Sequence, residues 1–254
     1  MNYIHEHVPS VDSTNEELKR RFTRGDKKEL LLSADFQSAG KGRNGRSFYS
    51  PQDTGIYFSY LYPNPEKKPV SDLIFVTTVA AVLVCDAIIR IIGPDDVGIK
   101  WVNDVYVKGK KVCGILAEAV FNGDTPGIVV GIGINLTTTD FPGEIKDIAS
   151  GIGRFDNEEL SRIKQSILHD VGEGLHRFFE NMDEAAYRKE ILALYKKESL
   201  VIGKEVVFTE SDIGERTARA FDIGEDGSLA VELPSGEKIS LHSGEIHLKL
   251  KEQE

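Results

Sequence analysis

Apolar residues in the first part of the chain occur in short runs whose spacing predicts β-strands. The segment 55–61 alternates aromatic and aliphatic residues, and the segment 127–136 is apolar apart from its glycines and Asn135. Lys108-Gly109 is a hairpin signal between two such runs. Strands are predicted at 29–34, 55–61, 97–100, 105–107, 111–120 and 127–136. His5 and His7, two positions apart, fit one face of a further strand.

Longer segments predict four helices. Ser13-Thr14-Asn15-Glu16 matches a capping box, in which the Ser13 hydroxyl accepts from first-turn amides and Glu16 reaches back. The most apolar stretch, 73–85, is interrupted by threonines and is too short to span a bilayer, so it predicts a core helix. The helices are expected at about 13–24, 73–92, 158–179 and 183–197.

From Gly203 onward the pattern changes to short β runs separated by glycine turns. The runs are 205–209, 217–222, 229–233 and 238–241. We therefore predict two domains, a larger one over 1–200 and a small all-β barrel over 201–254.

Composition and charge narrow the classes of function. The chain has 254 residues, 40% of them hydrophobic, and its 31 basic and 41 acidic side chains give a net charge of −10. That balance repels a nucleic-acid backbone, so we expect no binding to nucleic acid. The start of the chain has no secretion signal, and Cys85 and Cys113 lack metal-ligand spacing. These features favour a cytoplasmic protein with reduced thiols that does not bind a membrane.

The segment Gly40-Lys41-Gly42-Arg43-Asn44-Gly45-Arg46 alternates glycines with cations. Glycine lets backbone N–H groups approach an anion closely, and each arginine offers a planar fork to carboxylate or phosphate oxygens. The segment therefore predicts an anion-binding loop. It is not a P-loop, because no Gly-Lys-Ser/Thr closes it.

Polar residues collect in four places at predicted strand or helix ends: 13–15, 37–46, 100–104 together with Lys111, and Asn135. Each has a simpler explanation when taken alone. The first can be a helix cap, Asn103-Asp104 a turn, and Trp101 a core side chain.

Taken together, these motifs resemble the biotin protein ligases. The motifs are Ser-Thr-Asn at a helix start, Gly-cation-Gly-Arg-x-Gly-Arg, Lys-Trp-x-Asn-Asp, Lys-Val-x-Gly-Ile-Leu-x-Glu and Gly-Ile-Gly-Ile-Asn, in this order. The resemblance extends over nearly the whole chain and points to the form without an N-terminal DNA-binding domain. It implies an α+β fold, namely a mixed sheet flanked by helices as in class II aminoacyl-tRNA synthetases and biotin and lipoate ligases. A small C-terminal Src-homology-3-like β-barrel would follow.

The activity implied by the resemblance is ATP-dependent and has two steps. Biotin and ATP, with Mg²⁺, would form biotinyl-5′-AMP, and the biotinyl group would then pass to one lysine of a biotin carboxyl carrier protein. Carboxylate attack on a phosphate brings two anions together, so the site must supply cations. Water would destroy the adenylate, which favours a lid formed by the glycine loop. We expect that lid to be disordered without ligand.

The resemblance also implies roles for individual residues. Lys111, Arg43 and Arg46 would be catalytic, and Asp104 would bind Mg²⁺. Two departures from the family pattern are Lys41, where Arg is more common, and Phe48, where Trp is common. The biotin-binding set would be Ser13, Thr14, Asn15, Gln37, Lys41, Gly42, Arg43, Lys111 and Gly114. The ATP-binding set would be Arg43, Arg46, Phe48, Lys100, Trp101, Asn103, Asp104 and Asn135.

Three other functions stay open at this point. A lipoate or octanoate ligase would share the architecture but carry a different lid sequence. A biotin-sensing repressor would need a helix-turn-helix before Ser13. A nucleotide- or biotin-binding sensor would keep the anion site without catalysis. The sequence also leaves open whether the protein is a monomer or a homodimer joined edge to edge.

Overall fold

A mixed seven-stranded sheet is built from the first part of the chain. The computed structural model describes residues 3–64, 66, 73–210, 214–242 and 246–248. The strands are β1 (Ile4–Val11), β2 (Leu30–Gln37), β3 (Gly55–Tyr62), β4 (Val97–Lys100), β5 (Asp104–Val107), β6 (Lys110–Asn122) and β7 (Thr125–Asn135). Their order is β1-β2-β3-β7-β6-β5-β4, with β1 and β2 parallel and every other pair antiparallel.

Four helices cover the two faces of this sheet. They are α1 (Thr14–Thr23), α2 (Leu73–Ile92), α3 (Asn157–Glu180) and α4 (Ala185–Lys197). Leu18 and Phe22 of α1 pack on one face against a small cluster that includes Val129. On the opposite face α2 and α3 pack on the sheet and α4 packs on α2, and alternate residues of β7 such as Ile132 and Ile134 join the main core. Because side chains alternate along a strand, Gly131, Gly133 and Asn135 lie on the α1 face.

Helix α2 is long and apolar enough to cross a membrane. The prediction that its apolar stretch is too short for this was wrong, because the helix continues beyond residue 85. Within the segment Ile74–Ile92, 67% of the most apolar window is nevertheless buried in the fold. Phe75, Val79 and Ile88 belong to the main core between the helices and the sheet. The prediction of a core helix is confirmed.

A second, five-stranded antiparallel sheet follows. Its strands are β8 (Glu205–Glu210), β9 (Gly214–Ile223), β10 (Leu229–Glu232), β11 (Lys238–Leu241) and β12 (Ile246–Leu248), in the order β11-β10-β9-β8-β12. This arrangement is compatible with the expected Src-homology-3-like barrel. The predicted boundary near residue 200 lies between the two sheets, and the division into domains stays a prediction. Residues 211–213, 243–245 and 249–254 of the predicted second domain lie outside the described residues.

The predicted strands and helices are confirmed to within a few residues. Lys108 and Gly109 both have positive φ, 50° and 74°, as a tight hairpin between β5 and β6 requires. Strand β12 was not predicted, and β1 was indicated only by the spacing of His5 and His7. Both thiols are buried, and burial raises the pKa of Cys85 to about 12 and the pKa of Cys113 even further.

Candidate active site

A cavity of about 190 Å³ opens on the α1 face of the sheet, beside the first turn of α1. Every residue that the sequence assigned to a ligand lines it, so the four separate polar clusters form one site. The role of each residue toward a ligand stays a prediction. The lining residues from the predicted sets are Ser13, Thr14, Asn15, Gln37, Lys41, Gly42, Arg43, Arg46, Phe48, Lys100, Trp101, Asn103, Asp104, Lys111, Gly114 and Asn135.

Glycines form the floor of the cavity. Gly114 of β6 pairs with Gly133 of β7, and Asp104 and Tyr57 lie on either side of them in the same row of the sheet. A Cβ atom on Gly133 would lie 2.4 Å from the Phe48 ring, and one on Gly114 would lie 3.2 Å from it. The two glycines therefore make room for Phe48 to lie against the sheet. One side of its ring thus packs on the protein floor, and its contact with a nucleotide stays a prediction.

The glycine loop closes on itself above this floor. Gly42 N–H donates to the Arg46 carbonyl at 2.7 Å, and Phe48 N–H donates to the Gly40 carbonyl at 2.8 Å. The tip turns at Asn44 and Gly45, whose φ values are 54° and 74°. These left-handed conformations favour glycine and asparagine, which explains the residue types at the tip. The predicted disorder of this lid without ligand stays a prediction.

Arg43 joins the loop to the opposite wall of the cavity. Its Nη1 donates to Asn103 Oδ1 at 3.1 Å. Asn103 is itself held by β6, because its Nδ2 donates to the Ile115 carbonyl at 2.9 Å. The side chain of Asn103 is thus occupied by protein groups and positions the arginine.

The first turn of α1 does not form the predicted capping box. The Ser13 side chain makes no capping hydrogen bond, and Glu16 pairs with Lys19 at 2.8 Å. Gln37 caps the helix from β2, since its Oε1 accepts from the Thr14 backbone N–H at 2.8 Å. The polar side chains at 13–15 are buried against the sheet and cavity, so the cap comes from a neighbouring strand.

Asp12 supplies a fixed anion next to this turn. Its Oδ1 accepts from the Ser13 N–H at 2.8 Å, and Arg20 donates to both carboxylate oxygens. Hydrogen bonding to Arg20 lowers the pKa of Asp12 to about 2. Asp12 is therefore ionised at neutral pH and stabilises the positive end of α1.

Lys111 and Asp104 form an ion pair at the far end of the floor. Lys111 Nζ lies 2.7 Å from Asp104 Oδ1, and the two side chains are 29% and 18% exposed. The Lys111 stem crosses Gly114, where an added Cβ would lie 3.3 Å from Cε. The predicted cation and the predicted Mg²⁺ ligand thus contact each other.

The described residues contain no cluster of three or more His, Cys, Asp or Glu side chains that could hold a metal alone. Mg²⁺ commonly binds proteins through one or two carboxylates and completes its coordination with substrate phosphates and water. Asp104 fits such a site. Asn135 adds a neutral oxygen, because its Oδ1 is buried and has no hydrogen-bond partner. The donor set thus suits a metal carried in with phosphates.

The C-terminal sheet contributes to one wall. Trp101 is 4% exposed, and its Nε1 donates to the Gly227 carbonyl at 2.9 Å. Ile246 of β12 also lines the cavity. The indole N–H of Trp101, in the turn between β4 and β5, is therefore used for contact with the turn between β9 and β10, and its ring remains on the cavity wall. Lys100 Nζ lies 3.5 Å from the Tyr106 hydroxyl.

Sequence reasoning missed one complete wall of the cavity. Residues 141–149 contribute Phe141, Ile145, Ile148 and Ala149. This segment is tied to the start of β6, because Lys111 N–H donates to the Ile148 carbonyl at 2.8 Å. The available signal was the spacing of Phe141, Ile145 and Ile148, which is that of one helix face, but the run is short and contains Pro142 and Gly143.

The first half of the chain is similar to a known protein family. Residues 7–135 match the model of the biotin/lipoate A/B protein ligase family. The chain is 36% identical over 135 residues to the bifunctional ligase/repressor BirA of Bacillus subtilis, a match that covers 52% of this chain and 41% of BirA. The chain thus spans less than half the length of that relative.

Two other relatives match over nearly the whole chain. The biotin–[acetyl-CoA-carboxylase] ligase of Mycobacterium tuberculosis is 28% identical over 251 residues, covering 95% of this chain and 88% of that protein. The solved structure of biotin protein ligase from Aquifex aeolicus in complex with biotin and ATP is 28% identical. It has a TM-score of 0.76 and covers 97% of this chain and 98% of its own.

Proposed function

This chain belongs to the biotin/lipoate A/B protein ligase family, and we propose that it is an ATP-dependent ligase that attaches biotin to a carrier protein. In the first step biotin and ATP give biotinyl-5′-AMP and pyrophosphate. In the second step the biotinyl group passes to one lysine of a biotin carboxyl carrier domain of a carboxylase.

The observation that carries this proposal is the set of cations around one cavity with a glycine floor. Lys41, Arg43, Arg46 and Lys111 come from the loop and from β6, and all line the same space. A site that joins a carboxylate to a triphosphate needs this concentration of positive charge in a protein whose net charge is −10. The similarity over almost the full chain to a ligase solved with biotin and ATP supports the same substrates here.

In the first step a carboxylate oxygen of biotin attacks the α-phosphorus of ATP. A new O–P bond forms, and the bond from the α-phosphorus to pyrophosphate oxygen breaks. Arg43 and Lys111 would reduce repulsion between the two anions, and Lys111 would exchange Asp104 for the incoming oxygens. Bound through Asp104 and Asn135, Mg²⁺ would neutralise phosphate charge. No general base is needed, because the carboxylate is already ionised at neutral pH.

In the second step the lysine amine of the carrier attacks the acyl carbon of the adenylate. The carbon–oxygen bond to the phosphate breaks, AMP leaves, and the amine loses its proton. The loop that ends at Phe48 would keep water from the mixed anhydride between the two steps, since it lies over the cavity floor.

The test is pyrophosphate–ATP exchange with biotin and with lipoate measured side by side. We expect exchange that depends on biotin and a much smaller rate with lipoate. Transfer is then followed by mass spectrometry of a biotin carboxyl carrier domain, with a carrier whose acceptor lysine is replaced by arginine as the control. Exchange with lipoate alone would instead assign the chain to the lipoate branch of the family.

A further inference from the structure

Glu118 closes the Lys-Val-x-Gly-Ile-Leu-x-Glu motif, yet it does not line the cavity. It lies on β6, on the same face as Gly114 and Leu116. One carboxylate oxygen, Oε1, accepts from Lys19 Nζ at 2.9 Å, and the other, Oε2, accepts from Asn15 Nδ2 at 2.9 Å. The carboxylate thus binds two side chains of α1, one of which is a cavity residue.

Asn15 is almost fully enclosed by such contacts. Its side chain is 3% exposed. Its Nδ2 also reaches the Leu116 carbonyl at 3.3 Å, and its Oδ1 accepts from the Ser59 hydroxyl at 2.5 Å. The amide is therefore held by β6 on one side and by β3 on the other.

The amide lies directly across β7. Ser59, Gly131 and Leu116 occupy one row of the sheet, with Gly131 in the middle. A Cβ atom on Gly131 would lie 2.0 Å from Asn15 Oδ1. Glycine at this position thus allows the Asn15 amide to rest on the sheet between its two partners.

This arrangement fixes the wall that the first turn of α1 presents to the cavity. Ser13 and Thr14 precede Asn15, and both line the cavity. Thr14 is joined to the same group, because the Ser59 hydroxyl lies 2.7 Å from Thr14 Oγ1. A shift of the Asn15 amide would therefore move the hydroxyls next to it.

We propose that Glu118 is a positioning residue for biotin. It acts through Asn15 to hold the hydroxyls of Ser13 and Thr14 in place on the cavity wall. The proposal rests on the proposed function for the identity of the ligand. It reassigns Asn15 from a direct ligand contact to a link between Glu118 and the wall. It also separates Glu118 from the end of the cavity around Lys100 to Asp104, where the nucleotide is predicted to bind.

A purely structural explanation is that Glu118 only forms an ion pair with Lys19. Lys19 also contacts Glu16 at 2.8 Å, so it would keep one carboxylate without Glu118. Burial lowers the pKa of Lys19, but hydrogen bonds to Glu16 and Glu118 outweigh it and leave this pKa raised. The variant Lys19→Met removes the ion pair and keeps the bond from Asn15 to Glu118, so it is the matched control.

The test measures KM for biotin, KM for ATP and kcat in pyrophosphate exchange. Glu118→Leu should raise KM for biotin about tenfold or more, since the buried Asn15 amide loses its acceptor at 2.9 Å and keeps only the Leu116 carbonyl at 3.3 Å. KM for ATP and kcat at saturating biotin should stay within about threefold. Glu118→Gln keeps an acceptor for Asn15 and should recover most of the biotin affinity, while Lys19→Met should behave like the wild type.

Ser59→Ala removes the hydrogen bond to Asn15 from β3, on the other side of the amide. This variant replaces Glu118→Leu in the test if Glu118→Leu does not fold. It should also raise KM for biotin, and the double variant should show less than the product of the two effects, because both act on Asn15. Equal KM values for biotin in wild type, Glu118→Leu and Ser59→Ala would overturn the proposal, as would an equal rise in Lys19→Met. The wild-type rate with biotin or lipoate tests the proposed function separately, and the variants can be compared with whichever acid supports exchange.

Discussion

Lys111 is paired with Asp104, so its replacement affects both catalysis and folding. Its ammonium group contacts Asp104 at 2.7 Å, so removing it takes a partner from a carboxylate that is only 18% exposed. Lys111→Met should lower pyrophosphate exchange about a hundredfold to a thousandfold, the scale for loss of one preorganised charge. It should also lower stability by about 1 kcal/mol or more, because Asp104 is left without its partner.

Two further variants separate these effects. Lys110→Met is the neighbour control, because Lys110 Nζ contacts the Lys146 carbonyl at 3.5 Å and does not line the cavity. The double variant Asp104→Asn with Lys111→Met should unfold near the wild-type urea midpoint, because it leaves no unpaired charge. Its rate of pyrophosphate exchange should stay low. Equal loss of exchange in Lys110→Met and Lys111→Met would remove Lys111 from its proposed role.

The polar residues of the cavity could be predicted from residue types and order, but the wall at 141–149 and the hydrogen-bond partners could not. Ser13 and Glu16 have the spacing of a capping box, yet Gln37 from β2 caps the helix. Trp101 uses its N–H for a carbonyl in the turn between β9 and β10. These partners are distant in sequence, and short-range spacing contains no information about them.

At the scale of a single strand, β7 shows why glycines recur in Gly-Ile-Gly-Ile-Asn. The isoleucines join the main core, and the glycines face the cavity and α1. Gly131→Ala should cost about 1–3 kcal/mol of folding free energy, because the new methyl group would overlap Asn15. Urea denaturation checks this.

Gly143→Ala is the matched control for that substitution. Nothing lies within 4 Å of a Cβ atom placed on Gly143, which is in the 141–149 wall segment. We expect its unfolding midpoint to equal that of the wild type. A similar midpoint for Gly131→Ala would mean that Asn15 moves freely, which contradicts its fixed position on the sheet.

The tip of the loop over the cavity is open to a protease, since Lys41 and Arg46 are exposed and Arg43 is half-buried. The Arg43 side chain bonds to the Asn103 side chain. The backbone hydrogen bonds described at the loop tip join loop residues to each other. Trypsin should therefore cut after Lys41, Arg43 or Arg46 in the free protein, and biotin with ATP should slow this cleavage because anions would bind these cations. Cleavage after Lys27 and Lys28, which are exposed outside the cavity, is the internal control. Unchanged loop cleavage with ligands present would contradict a ligand-ordered lid.

Strands with clear alternation were predictable, and the less regular elements were not. Segment 55–61 became β3 almost unchanged. Strand β1 is polar and mostly exposed, since it lies at the sheet edge, and β12 is short. The wall at 141–149 is a short turn, in which Ala149 N–H donates to the Ile145 carbonyl, and its position is set by the bond from Lys111 N–H to the Ile148 carbonyl. In each of these cases tertiary contact decides the conformation.

The two sheets share one continuous core at the scale of the whole molecule. Val206, Phe208 and Val231 of the second sheet belong to the same buried cluster as Val105 and Ile115 of the first. Lys196 of α4 pairs with Asp222 of β9 at 2.7 Å. The cavity also receives Ile246 from β12, so separation of the sheets would open one of its walls. Stability and ligand binding should therefore depend on the same interface.

Trp101 provides a direct probe of that interface, because it is the only tryptophan of the chain. It is buried, and its N–H bonds to Gly227 across the interface, so water would reach the indole as soon as the sheets separate. Urea unfolding followed by Trp101 fluorescence and by far-ultraviolet circular dichroism should therefore give coincident transitions, as one cooperative unit requires. Lys196→Met should move both midpoints little, because an ion pair this exposed contributes about 0–1 kcal/mol. If fluorescence changes at lower urea than circular dichroism, the second sheet detaches first. In that case residues 1–200 would unfold as a separate unit, and the shared core would not hold the molecule together.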